Sequence, residues 1–247
     1  MKSYLRFLSR NKLYTAIEVV GLSIALAFVI VLSSYIVDDM SVNKALKDTD
    51  KIYLCHRTGS TTCFDEMPAV YGTMPEIESS CGFVQSRNKG LFNNGTEVSH
   101  GEYKAYVNIL GASDTFFDFF TFPLSEGSPS DALASKNAVV ISEGLANQLF
   151  PAGDAIGKTI NVFEQNPQRA YAPEFADFDV DLIVTGIFKP FSKTIFREPD
   201  MIMRLDLVLE KQYEMYHGSM RIGEFSFIKV AEGSDISSLT TRLTEGL

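Results

Sequence analysis

Between Val19 and Val37 the chain reads VVGLSIALAFVIVLSSYIV, nineteen residues without a charge. As a helix this stretch would be about 28 Å long, close to the roughly 30 Å of bilayer hydrocarbon. Its twelve Leu, Ile, Val and Phe residues favour insertion by at most about 4 to 7 kcal/mol. Beyond Asp38 the apolar runs are short and change period often. They predict a short helix over 41–50, a strand over 51–57 and a helix over 67–78 interrupted at Pro75. Strands follow over 82–87, 90–99 and 102–110, with a hairpin turn at Asn94-Gly95. Ser113 is placed to cap a short helix carrying Phe116, Phe117, Phe119 and Phe120. A helical turn over 130–135 and a buried strand over 137–142 come next. The polar stretch 164–179 reads as a loop. Residues 179–188, 201–210 and 224–233 read as strands, and 235–243 as a closing helix. Hairpins mixed with helices, without strict alternation, give the α+β class.

One segment tests a specific chemistry. LFPAGDAIGKTINV, residues 149–162, holds a loosened phosphate-loop pattern with Ala152 where the first glycine normally sits. Such a loop needs a strand running into the glycines and a helix starting at the Lys-Thr. Here the order is reversed. A helix over 142–150, capped by Ser142, enters the turn, and a strand over 158–163 leaves it. Gly153 and Gly157 therefore read as turn glycines and Lys158 as an exposed charge. A hydrolase built on Gly157, Lys158 and Thr159 would need nucleotide binding that Lys158→Ala abolishes. The chain contains no G-x-S-x-G and no H-E-x-x-H, and His56, His100 and His217 are scattered. Glu76 and Glu78 read as a solvated helix end. The sequence therefore points to no enzyme, no cofactor and no metal.

Charge is unevenly divided. Lys2, Arg6, Arg10 and Lys12 against Glu18 make residues 1–37 net +3, whereas the rest carries −12 of the total −9. An acidic outer part does not suit nucleic acid. The basic flank before the apolar run places the N-terminus in the cytoplasm and residues after Asp38 outside. No small-residue cleavage site follows the run, which reads as an uncleaved anchor and not a signal peptide. Residues 2–17 are helical in pattern, with Arg6, Arg10 and Lys12 on a cytoplasmic amphipathic helix. Gly21 with Ala25, and Ser23 with Ala27, are small pairs that permit close helix packing. Cys63 and Cys81 could close a loop of about 18 residues, worth about 3 kcal/mol; free buried thiols explain the same residues. Phe116, Phe117, Phe119 and Phe120 fit either core or an apolar partner surface.

The order of segments is similar to a known family. FLSRNKLYTAIEVVGLSIALA, DDMSVNKALKDTDKIYLCHR, SDTFFDFFTFPLSEG, NAVVISEGLANQLFPAGDAIGKTI, VTGIFKP and FSFIKVAEGSDI together resemble the N-terminal half of MacB/FtsX-like ABC-transporter permeases. The resemblance implies a cytoplasmic helix over 1–18, a membrane helix over 19–37 and a two-lobed mixed α/β periplasmic core domain over 38–247. One lobe would be porter-like and the other inserted over about 111–209. It also implies an inner-membrane protein with a cytoplasmic ATPase partner, association with a second permease as homodimer or heterodimer, and mechanical coupling of ATP hydrolysis to periplasmic movement or export. The cargo is unassigned. The family carries three further membrane helices, whereas no apolar run after residue 37 approaches 18 residues, so the sequence reads as a fragment or truncated form. The rival reading is a single-span extracytoplasmic binding or sensing module without an ATPase.

Overall fold

The computed structural model of the chain describes residues 12–39, 46, 48–55, 70–85, 95–189, 198–216 and 224–245. Two compact units divide it, Met1–Lys44 and Ala45–Leu247. The described residues of the first form helix α1 (Lys12–Asp39). The helix continues past Glu18 back to Lys12, with Leu13, Tyr14 and Ile17 adding apolar positions and no proline or glycine pair to break it. No helix boundary falls at residue 18. Arg6 and Arg10 lie outside the described residues.

The second unit is built on an eleven-stranded sheet. Its strands are β1 (Ile52–Cys55), β2 (Ile77–Gln85), β3 (Thr96–His100), β4 (Tyr103–Val107), β5 (Ile109–Ala112), β6 (Leu124–Glu126), β7 (Ala138–Ser142), β8 (Thr159–Glu164), β9 (Phe178–Phe188), β10 (Met201–Arg204) and β11 (Phe225–Val230). The spatial order is β1-β11-β2-β5-β10-β7-β9-β8-β3-β4, with β6 on the end of β9. Among the described residues the sheet is accompanied by helices α2 (Phe116–Phe120), α3 (Pro129–Ala132), α4 (Glu143–Leu149), α5 (Leu205–Tyr216) and α6 (Ile236–Glu245). The α+β expectation holds. Strands before residue 111 (β3, β4) and after it (β8, β9) share one continuous sheet.

The sheet has two halves that meet along β9. In the mixed half, β10 runs parallel to β5 and β7 parallel to β9. Strands β5 and β7 are buried at every position, as expected where helices cover both faces. Val139, Ile141, Met201 and Met203 point to a core under α4 and α5. Val140, Ile202, Leu110 and Phe188 point to the opposite core, with α2 and α3. In the other half, β9, β8, β3 and β4 form an antiparallel meander. Val98, Ala105, Ile160, Val162 and Leu182 pack inward under α4, and the alternate positions face outward.

Several sequence expectations change here. Residues 201–210 do not form one strand: β10 ends at Arg204 and α5 begins at Leu205. Leu205, Val208, Gln212 and Met215 recur at helical spacing and are all buried. The helix lies close because Gly111 leaves room; a Cβ there would sit 2.9 Å from Val208 Cγ2. Ile77 and Glu78 belong to β2 and not to a helix end, since Ile77 pairs with Val230. The expected 102–110 strand breaks at Asn108, whose backbone N–H donates to Asp200 Oδ2 at 2.7 Å and whose carbonyl accepts from Asp200 N at 2.9 Å. The turn between β3 and β4 is Gly101-Glu102, with Gly101 at φ +58°; Asn94 lies outside the described residues, as does nearly all of the expected 41–50 helix. Ser113 does not cap α2. The N-cap is Thr115, and Ser113 Oγ exchanges hydrogen bonds with the Gly82 backbone at 2.9 and 3.1 Å.

Candidate functional site

The membrane candidate is α1. It is long and apolar enough to cross a bilayer over Lys12–Val37, and no residue of its most apolar stretch is buried. Gly21 and Ala25 lie one turn apart, and a Cβ on Gly21 would meet nothing within 4 Å. Ser23 and Ala27 form a second small pair about 200° around the helix. Ser23 Oγ donates to the Val19 carbonyl at 2.7 Å, so the hydroxyl is satisfied within the helix, as apolar surroundings require. Both small-residue stripes are open. Lys12 is the first residue of α1.

The chain comes into the sheet and leaves its last strand at one place. After α1 it reaches Asp48, in the left-handed region at φ 55°, a 3-10 turn over Thr49–Lys51, and then β1. β1 is the sheet edge and pairs antiparallel with β11, Ile52 opposite Lys229. β11 then turns through Gly233, at φ +83°, into α6. Asp235 caps α6 by accepting from the Ser237 and Ser238 amides at 3.0 and 3.2 Å. A small core of Tyr71, Met74, Ile228, Val230 and Leu239 sits beneath α6, and Tyr71 Oη shares a 2.8 Å hydrogen bond with Ser226 Oγ.

Among the described residues, three ion pairs surround this junction. Lys229 reaches Asp48 at 2.5 Å, Lys51 reaches Glu232 at 3.1 Å and Arg242 reaches Glu76 at 2.5 Å. The Glu232 carboxylate, by hydrogen bond and charge, holds the Lys51 ammonium above its ordinary value, with Asp48 and Glu78 adding to the effect. The Arg242 hydrogen bond, helped by a backbone donor, holds Glu76 below the usual carboxylate value. None of these six residues stands out in the sequence as half of an ion pair. Each pair spans more than 160 positions, and no local spacing could reveal it. Glu76, expected as a solvated helix end, is instead half of the pair that fixes α6.

A second feature is a groove of about 770 Å³ on the outer face of the meander. Tyr106 and Phe163 are in its lining, along with Glu97, Gln165 and Arg169. The wall is held by Asn166, a fully buried side chain. Its Nδ2 donates to the Ala176 and Met215 carbonyls at 3.0 and 2.9 Å, and its Oδ1 accepts from the Gln168 amide at 3.0 Å. Arg169 pairs with Asp177, and Lys104 with Glu97 at 2.7 Å.

The phenylalanines are core. Phe116, Phe117, Phe119 and Phe120 are all buried, and Phe120 touches Phe116, Phe119, Phe122 and Phe227. The reading of these four as an apolar partner surface is overturned, because the fold spends them filling one face of the mixed half. Cys81 is a free thiol, buried in the same core, and burial pushes it well above the ordinary thiol value; Cys63 lies outside the described residues. The 149–162 segment is helix, turn and strand, as its pattern predicts. Gly153 and Gly157 have φ +82° and +78°. The Gly157 amide donates to the Val184 carbonyl at 2.7 Å and the Lys158 amide to Ala155 at 3.1 Å. Those donors are used inside the fold, and Lys158 precedes a strand, so no phosphate cradle exists there.

Comparison with known proteins agrees with this arrangement. An uncharacterized ABC transporter permease of Bacillus subtilis (strain 168), YvrN, is 30% identical over 98 residues, 38% of this chain and 24% of that relative's length. Among solved structures, a domain assigned to a permease protein of Porphyromonas gingivalis superposes with a TM-score of 0.52 at 20% identity, covering 72% of this chain and 73% of the other. The periplasmic region of MacB from Actinobacillus actinomycetemcomitans gives 0.50 at 18% identity, covering 78% and 79%. The MacB-like periplasmic core domain profile matches residues 15–245, nearly the whole chain with its apolar helix included, and the chain belongs to that family.

Proposed function

We propose that the chain is the membrane-anchored extracytoplasmic domain of an ABC-transporter permease subunit, and that it relays movement driven by a cytoplasmic ATPase to the outer face of the inner membrane. The N-terminus lies in the cytoplasm and the sheet domain in the periplasm, following the basic flank before α1. The observation that carries the reading is the convergence of the incoming segment and α6 on one edge of the sheet. A displacement of the membrane helix is delivered to β1 and β11, and from there to the sheet. A binding or sensing module would need no such convergence. Within the membrane, Gly21 with Ala25 and Ser23 with Ala27 offer two faces for close packing against a second permease, as homodimer or heterodimer. Arg6, Arg10 and Lys12, before the apolar run, belong to the cytoplasmic side.

The test is affinity purification of the tagged chain from native membranes under mild detergent, with protease added to intact, outer-membrane-stripped cells as a topology control. The expected result is recovery of an ATPase subunit and digestion of residues 38–247. Recovery of no ATPase, or protection of those residues, overturns the reading.

A further inference from the structure

The register of β1 on β11 has a mechanical consequence. The strands are antiparallel, so the start of β1 lies beside the end of β11: Ile52 faces Lys229. The segment coming from α1 and the segment going to α6 therefore leave the strand pair at the same end. Tension applied through those two connections opens the pair like a zipper, breaking one rung at a time from Ile52 and Lys229. This geometry is weak, because each hydrogen bond bears the load alone. β1 adds little resistance of its own. It has four residues and no buried position, and among the described residues it pairs with one strand.

The ion pairs stand at that end. Asp48 and Lys51 precede β1 by four residues and one, and hold Lys229 and Glu232, at and just beyond the end of β11. The next strand is tied in the same region. Arg242 of α6 holds Glu76 immediately before β2, and the Ala231 amide donates to the Glu76 carbonyl at 2.9 Å. We propose that Asp48–Lys229 and Lys51–Glu232 form a clasp that keeps the β1–β11 pair from unzipping, while Glu76–Arg242 ties α6 to the start of β2, so that the incoming segment and α6 move as one body. The inference rests on the permease reading for the source of the tension. The clasp itself is a property of the fold.

Hydrogen exchange of the full chain in detergent micelles, followed by mass spectrometry, tests it. Lys229→Glu and Lys51→Glu each replace an attraction with repulsion. β1 amides are expected to exchange about tenfold faster in each, since local opening follows local stability. The swaps Asp48→Lys with Lys229→Glu, and Lys51→Glu with Glu232→Lys, are expected to restore protection, with β7 unchanged throughout. The unaltered chain supplies a reading that needs no variant: raising salt from about 0.05 to about 1 M screens the pairs and should accelerate β1 exchange relative to β7. Unchanged β1 exchange in the reversals, swaps that fail to restore it, or a flat salt response overturns the clasp. ATPase recovery is scored on the same swap variants; its absence sinks the permease reading and leaves the exchange result standing.

Discussion

The mixed half of the sheet and the meander are made from similar lengths of strand, yet they bury their residues differently. β5 and β7 hide every side chain, whereas β4 hides only Ala105 and Val107 and leaves Tyr106 61% exposed. The cause is what lies on each face. Parallel pairing in the mixed half brings crossover helices to both sides, while the meander has α4 beneath and solvent outside. The same residue type therefore does different work in the two halves. An aromatic in the mixed half, such as Phe120, fills core; one on the meander's outer face, such as Tyr106, lines a groove.

This contrast can be tested by substitution. Phe120→Ala should cost about 3–5 kcal/mol, measured by chemical denaturation of the micelle-bound chain followed by circular dichroism. A loss below about 1 kcal/mol would mean that the α2 face is loosely packed. Asn166→Ala removes the donor to the buried Met215 carbonyl and to the Ala176 carbonyl and should cost about 1–3 kcal/mol, with faster hydrogen exchange confined to the 165–177 segment and the end of α5. Gly111→Ala forces a Cβ against Val208 and should cost about 1–3 kcal/mol; a neutral result would show that α5 can shift. Tyr106→Ser, on the open face, should stay within about 0.5 kcal/mol in the same denaturation measurement. A large loss there would erase the distinction between the halves.

The smallest expected effect is local and pH-dependent. Arg242 lowers the Glu76 carboxyl below its ordinary 4.5. The pair's contribution is therefore complete above that value and fades as the pH falls through the lower, folded one. Lys51 is raised above 10.5, so its contribution is complete below that value and is lost as the pH rises through the folded one. Exchange at α6 should increase on acidification, and exchange at β1 in alkali, after correction for the intrinsic pH dependence of exchange. The same profile in Glu76→Gln would break the assignment at α6.

Local patterns in the sequence held where one residue's neighbours decide the outcome. The charge-free run made α1, Ser142 capped α4 through the Leu145 amide at 3.1 Å, and the order of helix, turn and strand excluded a phosphate loop. The pattern failed where distant partners decide. MIMRLDLVLE is apolar enough for a strand throughout, yet after Arg204 Leu205 and Val208 begin a buried helical face, with Val208 packed close to Gly111. Ile77 reads as helical until Val230 is beside it. The clasp was illegible for the same reason, since Asp48 and Lys229 meet only after the sheet has formed.

One element belongs to both halves. The first part of β9 pairs with β8 and the last part with β7, and Ile183 is matched to Thr159 on one side and Ala138 on the other. Removing or adding a single residue near that point would invert the facing of everything on one side of it. Natural length variation should therefore gather in the turns and spare this strand, and a hinge engineered into it would let the meander swing free of the β1–β11 edge.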